Sequence, residues 1–289
     1  MRRFIKLWNN IFYTKLNPES LSLFRICFGI LIFTNLITYY PNWERFYGPV
    51  FNEQAINTLN LKLSIIYLTQ DFIPAISFWY IGIISSILFT IGWKTKFNNI
   101  ILFILYISMV NRSPYSVSEE DIFTMLLFYS LFAPIGYFYS IDSTKNKFPK
   151  QTFYIWPVRL MQISILLIYA ISLIYKILGD TAWVDGSAMY YVIANDLWCQ
   201  FPLRDIFYKH DYLLSKICTY GTIILEGSFP ILIWLNKARL PVIYTMSIFH
   251  ILIAIFIPTV LFFSLVMVCS FLLFIPSSTT NKLINKIFK

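Results

Sequence analysis

The sequence predicts an all-α polytopic integral membrane protein, a bundle of about eight transmembrane helices, and three observations support this fold class. Of its 289 residues, 58% are apolar, 19% are aromatic and only 13% are charged, whereas about a quarter of the residues in a typical soluble domain are charged. The mean hydropathy of +0.65 excludes a disordered chain. The apolar residues form long runs separated by short charged clusters. A water-soluble fold could not bury this much Phe, Ile, Leu and Tyr.

Eight apolar runs are candidates to cross the hydrocarbon core, which is about 30 Å thick and takes roughly 20 residues of helix. They cover residues 20–40, 74–93, 97–112, 120–140, 156–178, 214–236, 239–257 and 259–275. The third run is short. Only Ile257-Pro258-Thr259 separates the last two, so they form either a tight helical hairpin or one broken element. Seven spans is therefore the alternative count.

Loop charges predict the orientation, because Lys and Arg close to the spans stay in the cytoplasm. Alternate segments, beginning with the N-terminal one, are basic: Arg2, Arg3, Lys6 and Lys15; Lys94 and Lys96; Lys145, Lys147 and Lys150; Lys237 and Arg239; Lys282, Lys286 and Lys289. The intervening segments 41–73, 111–119 and 179–213 are longer and more acidic. This alternation requires an even number of spans and places both termini in the cytoplasm of a multi-pass cell-membrane protein. We divide the chain into a cytoplasmic segment 1–19, one transmembrane domain 20–276 and a short basic tail 277–289.

Several classes of site are not expected from the sequence. The net charge of +9 does not indicate nucleic-acid binding, because the basic residues lie in short clusters between apolar runs. No two cysteines have CxxC spacing, and two histidines are too few for an ordinary His-rich metal site. We therefore expect no metal. Cys199 and Cys218 both fall on the predicted outer face, where disulfides form, and are a disulfide candidate.

Five ionisable side chains lie in or near predicted spans, where each costs about 2.5–3.5 kcal/mol on insertion scales and needs a partner or a function. They are Arg25, Asp121, Lys176, Glu226 and His250. Glu226 and His250 suit a hydrogen-bonded pair or a proton path, with a structural clamp between helices as the alternative. Arg25 either snorkels to the cytoplasmic interface or pairs with Glu19. Asp121 ends an acidic triplet that suits a helix N-terminus.

Lys176 lies near the outer end of the fifth predicted span, on the same helix face as Tyr169 and Ser172. Gln162 and Arg159 extend this face inward. An apolar pocket favours the neutral amine of a lysine, which is then a usable base near neutral pH. The alternative is a lysine that snorkels to the headgroups.

Several segments occur in an order that resembles a known family. They are Leu23-Phe24-Arg25 to Gly29, Ile91-Gly92-Trp93-Lys94, Asp121 to Pro134 with Tyr139-Ser140-Ile141-Asp142, Arg159-Leu160-Met161-Gln162 with Tyr169, Lys176 and Trp183-Val184-Asp185-Gly186-Ser187-Ala188-Met189-Tyr190, then Glu226 with Pro230, and Phe249-His250. Over roughly residues 15–276 this set resembles the HTTM family, the membrane module that includes the vitamin-K-dependent γ-glutamyl carboxylases. The compact size is most similar to the bacterial sporulation-delaying-protein-B type, which acts with a small partner protein in maturing a secreted peptide toxin.

The resemblance implies a catalytic role for Lys176. In the carboxylases, a lysine at the matching position takes a proton from vitamin K hydroquinone, and oxygen then generates the strong base that removes the γ-proton of a substrate Glu before CO2 adds. The implied cofactors are therefore a reduced vitamin-K-type quinol (menaquinol) with O2, and CO2 where carboxylation is retained. The residues expected to support the reaction or line the substrate or quinol pocket are Tyr169, Ser172, Trp183, Asp185, Gly186, Glu226, His250, Arg25, Arg112 and Asp121.

Two departures from the carboxylases bear on the reaction. The carboxylases carry a large lumenal region that binds a propeptide, and no counterpart is recognisable here. They also use a histidine before the fourth span, where this chain has Asn111, Arg112 and Ser113. Carboxylation is therefore less firmly implied than the fold.

The sequence thus predicts a membrane enzyme that modifies or matures a secreted peptide by quinol-dependent chemistry at the outer face, with a partner protein. The alternative is a non-enzymatic membrane scaffold, immunity factor or export factor for a peptide toxin. A small-solute transporter comes last, because such proteins show internal repeats and broken helices at the membrane midplane. In this chain only the corner at Pro258 is of that kind.

Overall fold

The computed structural model describes residues 2–16, 18–48, 64–112, 118–145, 153–276 and 279–280. Most of them lie in helices, which we number along the chain: α1 Arg2–Phe12, α2 Glu19–Tyr39, α3 Trp43–Tyr47, α4 Ile65–Leu68, α5 Ala75–Ile91, α6 Thr95–Val110, α7 Ser118–Ser130, α8 Ile141–Lys145, α9 Trp156–Gly179, α10 Thr181–Asp185, α11 Ala188–Ala194, α12 Arg204–Leu232, α13 Arg239–Phe256 and α14 Leu261–Ser270. Short 3₁₀ turns cover Tyr40–Asn42, Pro258–Val260 and Phe271–Phe274. Two strands of two residues each, β1 Lys15–Leu16 and β2 Phe153–Tyr154, pair antiparallel.

Every predicted span overlaps one of these helices. In the described part of the chain, three helical segments are long and apolar enough to cross a membrane: Glu19–Tyr47, Trp156–Gly179 and Arg239–Phe256. Three shorter apolar segments are Ala75–Ile91, Thr95–Val110 and Pro258–Phe274. The predicted helical fold is thereby confirmed, and it contains helices long and apolar enough to cross a membrane, while the number of spans and the side of the termini remain predictions. Parts of the predicted outer loops 41–73 and 111–119, and most of the tail 277–289, lie outside the described residues.

Two helices differ in extent from the predicted spans that they overlap, the fourth and the sixth. Helix α7 ends at Ser130, and the chain turns through the remainder of the predicted span 120–140. Pro134 explains the early end, because proline has no N–H and disfavours helical backbone at the residue before it. Helix α12 starts at Arg204, ten residues before the predicted span. The prediction began later because the first turns of this helix contain several charged residues, which a search for apolar runs leaves out.

Capping residues and prolines set several helix ends. Helix α2 follows Pro18 and carries Glu19 in its first turn, where a carboxylate is favoured by the helix dipole. The Ser64 hydroxyl accepts a hydrogen bond from the Tyr67 backbone N–H and caps α4. Helix α5 ends at Gly92, whose φ of 74° is left-handed and suits glycine. Local sequence features, and not hydropathy alone, therefore determine where these helices begin and end.

The described chain forms two compact units. The first comprises the residues up to Met161 together with those from Ile275 onward, and the second comprises Gln162–Phe274. In the first unit α2 packs on α5, α5 on α6 and α6 on α7. In the second unit α11 packs on α12, α12 on α13 and α13 on α14. Most of α9 belongs to the second unit, including the face that carries Lys176.

Candidate functional site

The central feature of the second unit is a contact between α9 and α12. The amine of Lys176 forms an ion pair with Oε2 of Glu226. The two side chains keep only 16% and 10% of their surface exposed. The Ser172 hydroxyl, one turn earlier on α9, donates to the same carboxylate oxygen at 3.2 Å. Lys176 therefore does not extend freely to the interface, and its amine does not occupy a purely apolar pocket.

A second polar contact lies further along the same face of α9. The Tyr169 hydroxyl is 2.6 Å from Nε2 of His250 on α13. The imidazole is 2% exposed, and the rings of Phe249, Phe263 and Phe271 lie around it at centroid distances of 5.4–6.0 Å. Its Nδ1 atom is buried without a hydrogen-bond partner. Such an orphaned atom in an apolar surrounding is costly and rare.

Of the alternatives for Glu226 and His250, a hydrogen bond between the two side chains is wrong. Glu226 bonds Lys176 and Ser172, and His250 bonds Tyr169. The reason is the helix period: Tyr169, Ser172 and Lys176 recur at intervals of three and four residues and reach both acceptor groups from α9. The two polar contacts are therefore arranged along one helix rather than joined to each other.

The loop after α9 adds an aromatic contact to the amine. The ring centroid of Trp183 in α10 is 4.7 Å from the Lys176 amine, a distance at which a cation is attracted to an indole face. Helix α10 is capped by Asp180, whose Oδ1 accepts from the Ala182 backbone N–H at 2.9 Å. The Trp183 indole and the Glu226 carboxylate therefore both attract the Lys176 ammonium group.

Asp185 and Gly186 shape the loop instead of contacting Lys176. Oδ1 of Asp185 accepts from both the backbone N–H and the hydroxyl of Ser187, and these bonds lower the pKa of this exposed carboxyl. Gly186 has a φ of 87°, and a Cβ there would lie 2.7 Å from the Lys216 side chain. Its carbonyl accepts from Ser215 at 2.9 Å. The left-handed backbone and the close contact with Lys216 therefore require glycine at this turn.

The described residues of the second unit line at least two cavities. One, of about 310 Å³, is lined by apolar side chains of α12 and α13, including Leu225, Phe249 and Leu252. The other, which we call the loop cavity, has a volume of about 740 Å³ and is formed by residues between 180 and 198. Trp183 lines the loop cavity and also contacts the Lys176 amine.

Arg25 belongs to a cluster in the first unit, and the prediction that it snorkels or pairs with Glu19 needs correction. Its side chain is fully buried. It donates to the backbone carbonyls of Ile135 at 3.2 Å, Phe138 at 3.5 Å and Tyr139 at 2.5 Å. The turns that follow the shortened helix α7 provide these carbonyls. Arg25 is therefore a structural cation that holds irregular backbone in place.

The segments around Gly92 and Asp142 complete this cluster. The Asp142 carboxylate accepts from the backbone N–H groups of Lys94 at 2.9 Å and Thr95 at 2.8 Å. A Cβ at Gly92 would lie 2.7 Å from a guanidinium nitrogen of Arg25. Part of the sequence pattern that resembles the HTTM family thus has a structural explanation.

Arg112 and Asp121 have very different surroundings. Arg112 is fully buried and donates to the Gly48 carbonyl at 2.8 Å, while its Nε and Nη1 have no partner. Asp121 is exposed. Its neighbour Glu120 is instead 1% exposed and accepts from the Tyr47 hydroxyl at 3.2 Å. Sequence reasoning missed Glu120, although helical spacing aligns it with apolar residues 123 and 127.

The candidate disulfide is not formed. All four cysteines are free thiols. Cys199 and Cys218 lie in one apolar cluster with Ile193 and Phe207, and the Cys199 thiol is directed to the Phe201 carbonyl at 3.4 Å. Apolar packing, rather than a covalent bond, therefore accounts for their proximity. Among the described residues, no group of three or more His, Cys, Asp or Glu side chains could hold a metal ion.

Comparison with known families covers nearly the whole chain. The model of the HTTM domain matches residues 13–278. Comparison with curated proteins and with solved structures gives no match. The match includes both the Arg25 cluster and the Lys176–Glu226 contact, and it agrees with the apolar helices of the fold. The chain belongs to the HTTM family of membrane proteins.

Proposed function

We propose that the chain is a membrane enzyme, related to the vitamin-K-dependent carboxylases of its family, that modifies or matures a secreted peptide by quinol-dependent chemistry. One observation carries the proposal: a lysine amine and a carboxylate, both largely removed from solvent, meet between apolar helices. An ionisable residue inside a membrane domain marks a functional site by default. We place the reactive centre at Lys176 and Glu226, in a protein of the cell membrane.

The residues near this pair fit a reduced lipid quinol such as menaquinol. The apolar cavity of about 310 Å³ is within the size range of ligand pockets. Cys218 and Thr222 line it, and Glu226 continues the same face of α12 at four-residue spacing. His250 does not line this cavity but follows Phe249, which does, and a hydroxyl group that reached its buried Nδ1 would give that atom a partner. Phe249 and Leu252 would hold the apolar part of such a molecule.

A bound quinol supplies, together with O2, a base strong enough to remove a proton from a peptide carbon, and CO2 is needed only if carboxylation is retained. The protein's own contribution is to hold and move a proton. Transfer of the proton from the Lys176 ammonium to Oε2 of Glu226 leaves a neutral amine, which is a proton acceptor. The Ser172 hydroxyl bonds the same carboxylate and fixes its position. Tyr169 and His250 are the second pair able to hold a proton in this unit.

A non-enzymatic scaffold, immunity factor or export factor is the second candidate, and the ion pair itself favours it. A lysine that is already matched by a carboxylate needs no chemical role, because polar pairs between helices also serve as clamps. The two readings differ in what they require of Lys176. A clamp needs a cation, whereas an acceptor needs a group that can release its proton.

The experiment compares secreted peptides by mass spectrometry from cells that produce the wild type, Lys176→Ala or Lys176→Arg. Arginine keeps the charge but does not release its proton, so both variants should secrete only unmodified peptide. Lys237→Arg, at an exposed lysine, is the matched control and should behave as wild type. The mass difference identifies the reaction, a gain of CO2 or a loss of two hydrogens. Normal maturation by Lys176→Arg would instead support the scaffold.

The proposal also includes a small partner protein, by analogy with the sporulation-delaying-protein-B type. Maturation of the peptide in a host that makes the chain alone would show that no partner is needed. Restoration of maturation only on co-production of a second small protein would support the analogy.

A further inference from the structure

The loop cavity has a composition unlike the rest of this apolar domain. Its walls include the carboxylates of Asp180 and Asp185, the rings of Trp183, Tyr191 and Trp198, and the amide of Asn195. None of the side chains that line it is a lysine or an arginine. On a chain with a net charge of +9, this is an acidic and aromatic recess.

The two carboxylates each keep one oxygen available. Asp180 uses Oδ1 to cap α10, and Asp185 uses Oδ1 to hold Ser187. Among the described residues, Oδ2 of each has no hydrogen-bond partner. Lys216 acts electrostatically on Asp185 but does not line the cavity. The negative charge is therefore available to a ligand.

The aromatic side chains favour the same kind of ligand. Trp198 and Tyr191 leave 48% and 62% of their surface exposed, so their rings are accessible to a ligand. Indole and phenol faces attract ammonium and guanidinium groups. Trp183 already does so on one side, where it contacts the Lys176 amine. Carboxylates and aromatic rings together form a recess for a side chain with an apolar stem and a cationic end.

We propose that the loop cavity binds a lysine or arginine side chain of the secreted peptide. The inference rests on the proposed function, because it takes the peptide as the ligand. Trp183 lines the cavity and contacts Lys176, so a peptide held here presents its neighbouring residues to the reactive pair. The cavity thereby selects substrates with a basic residue close to the position that is modified.

The test measures binding of short peptides to the full chain in nanodiscs of neutral phosphatidylcholine. The probe is a dye-labelled pentapeptide with a central lysine between glycines and with blocked ends. A matched peptide carries norleucine, which has the apolar stem without the charge. Fluorescence anisotropy gives the dissociation constants. Neutral lipid removes the attraction of a basic probe to the bilayer itself.

The decisive variant is Asp180→Asn/Asp185→Asn. Asparagine keeps the acceptor oxygens that cap α10 and hold Ser187, and unchanged thermal unfolding verifies the fold. The carboxylates of Asp180 and Asp185 are exposed, and two exposed ion pairs correspond to roughly a two- to thirtyfold change in affinity. We expect the lysine peptide to bind the wild type more tightly than the norleucine peptide by this factor. The variant should bind both alike, and the control Asp205→Asn should bind as wild type.

Equal binding of the two peptides by the wild type would overturn the proposal, as would an unchanged preference in the double variant. The probe contains no residue to be modified, so binding does not depend on catalysis. Normal maturation by Lys176→Arg, with charge-dependent binding of the lysine peptide intact, would thus contradict only the enzymatic role. Intact maturation without charge-dependent binding would contradict only this assignment.

Discussion

Two cations of this protein, the buried Arg25 in the first unit and the partly buried Lys176 in the second, have different kinds of partner. The Arg25 guanidinium donates to three backbone carbonyls. The Lys176 amine meets a carboxylate and an indole face. The backbone carbonyls do not take a proton from the Arg25 guanidinium, whereas the Glu226 carboxylate can take one from the Lys176 ammonium group.

The comparison separates a structural cation from a chemical one. Arginine stays protonated in proteins, so Arg25 acts as a permanent donor that holds the turns after α7. Lysine and glutamate both titrate, and together they can exist as an ion pair or as two neutral groups. Burial alone therefore does not identify a functional residue. What distinguishes the Lys176 site is that its partners can exchange a proton with it.

The largest expected effect is on folding, at Arg25. Arg25→Ala removes the donor from three buried or partly buried carbonyls, and we expect a loss of about 3–5 kcal/mol in the free energy of unfolding, because each polar group left without a partner costs about 1–3 kcal/mol. Arg25→Lys should recover only part, because one ammonium group cannot span the same carbonyls. Thermal unfolding in detergent measures this. Arg45→Ala, at an exposed arginine, is the control, and an equal loss there would contradict the structural role.

Glu226→Gln should give the next largest effect, because it leaves the Lys176 ammonium without its counter-ion. Both side chains retain some exposure, so we expect about 1–3 kcal/mol of destabilisation rather than the full cost of a buried charge. The double variant Lys176→Met/Glu226→Leu should recover most of that stability and none of the peptide maturation. Recovered maturation in the double variant would show that the pair is only a clamp.

Substitution of two glycines by alanine should change the stability by smaller amounts and in opposite directions. Gly92→Ala forces a Cβ to within 2.3 Å of Ser140 at a left-handed backbone position, and should cost more than about 1 kcal/mol. Gly221→Ala, within α12, meets no atom within 4 Å and should stabilise by up to about 1 kcal/mol. Chemical or thermal unfolding compares them. A neutral Gly92→Ala would show that the Arg25 cluster tolerates a rearranged turn.

Tyr169→Phe should have the smallest effect on stability, about 1 kcal/mol, at the lower end of the cost of leaving a buried polar group without its hydrogen bond. It leaves both nitrogens of His250 without a protein partner. If this pair takes part in proton transfer, the rate of peptide maturation should also fall, but by less than in Lys176→Arg. An unchanged rate, with the loss of stability present, would restrict Tyr169 and His250 to a structural role.

The sequence was sufficient to predict the helical fold class. Its apolar runs have the length of helix that crosses a bilayer, and charged clusters separate one run from the next. It also placed Tyr169, Ser172 and Lys176 on one face, since helix period alone decides this. The end of α7 was missed because hydropathy continues through Leu131 and Phe132, although Pro134 stops the helix. The position of Pro134 would have predicted this helix end if helix-terminating residues had been considered together with hydropathy.

Pairings between helices could not be predicted in the same way. Glu226 and His250 lie at comparable depth in consecutive spans, which suggested that they bond each other. Their actual partners depend on how α12 and α13 are rotated against α9, and rotation is set by packing over many residues. The buried carbonyls around Arg25 were also unpredictable, because they belong to a turn that the sequence had placed in a helix.

The most direct test of a proton-exchanging pair is the swapped variant Lys176→Glu/Glu226→Lys. It keeps an ion pair between α9 and α12 but moves the amine to the other helix. We expect near wild-type thermal unfolding and a loss of peptide maturation of about a hundredfold, since displacement of a reacting group by an ångström has effects of that order. Maturation at the wild-type rate by the swapped protein would contradict the account and leave the pair as a structural clamp.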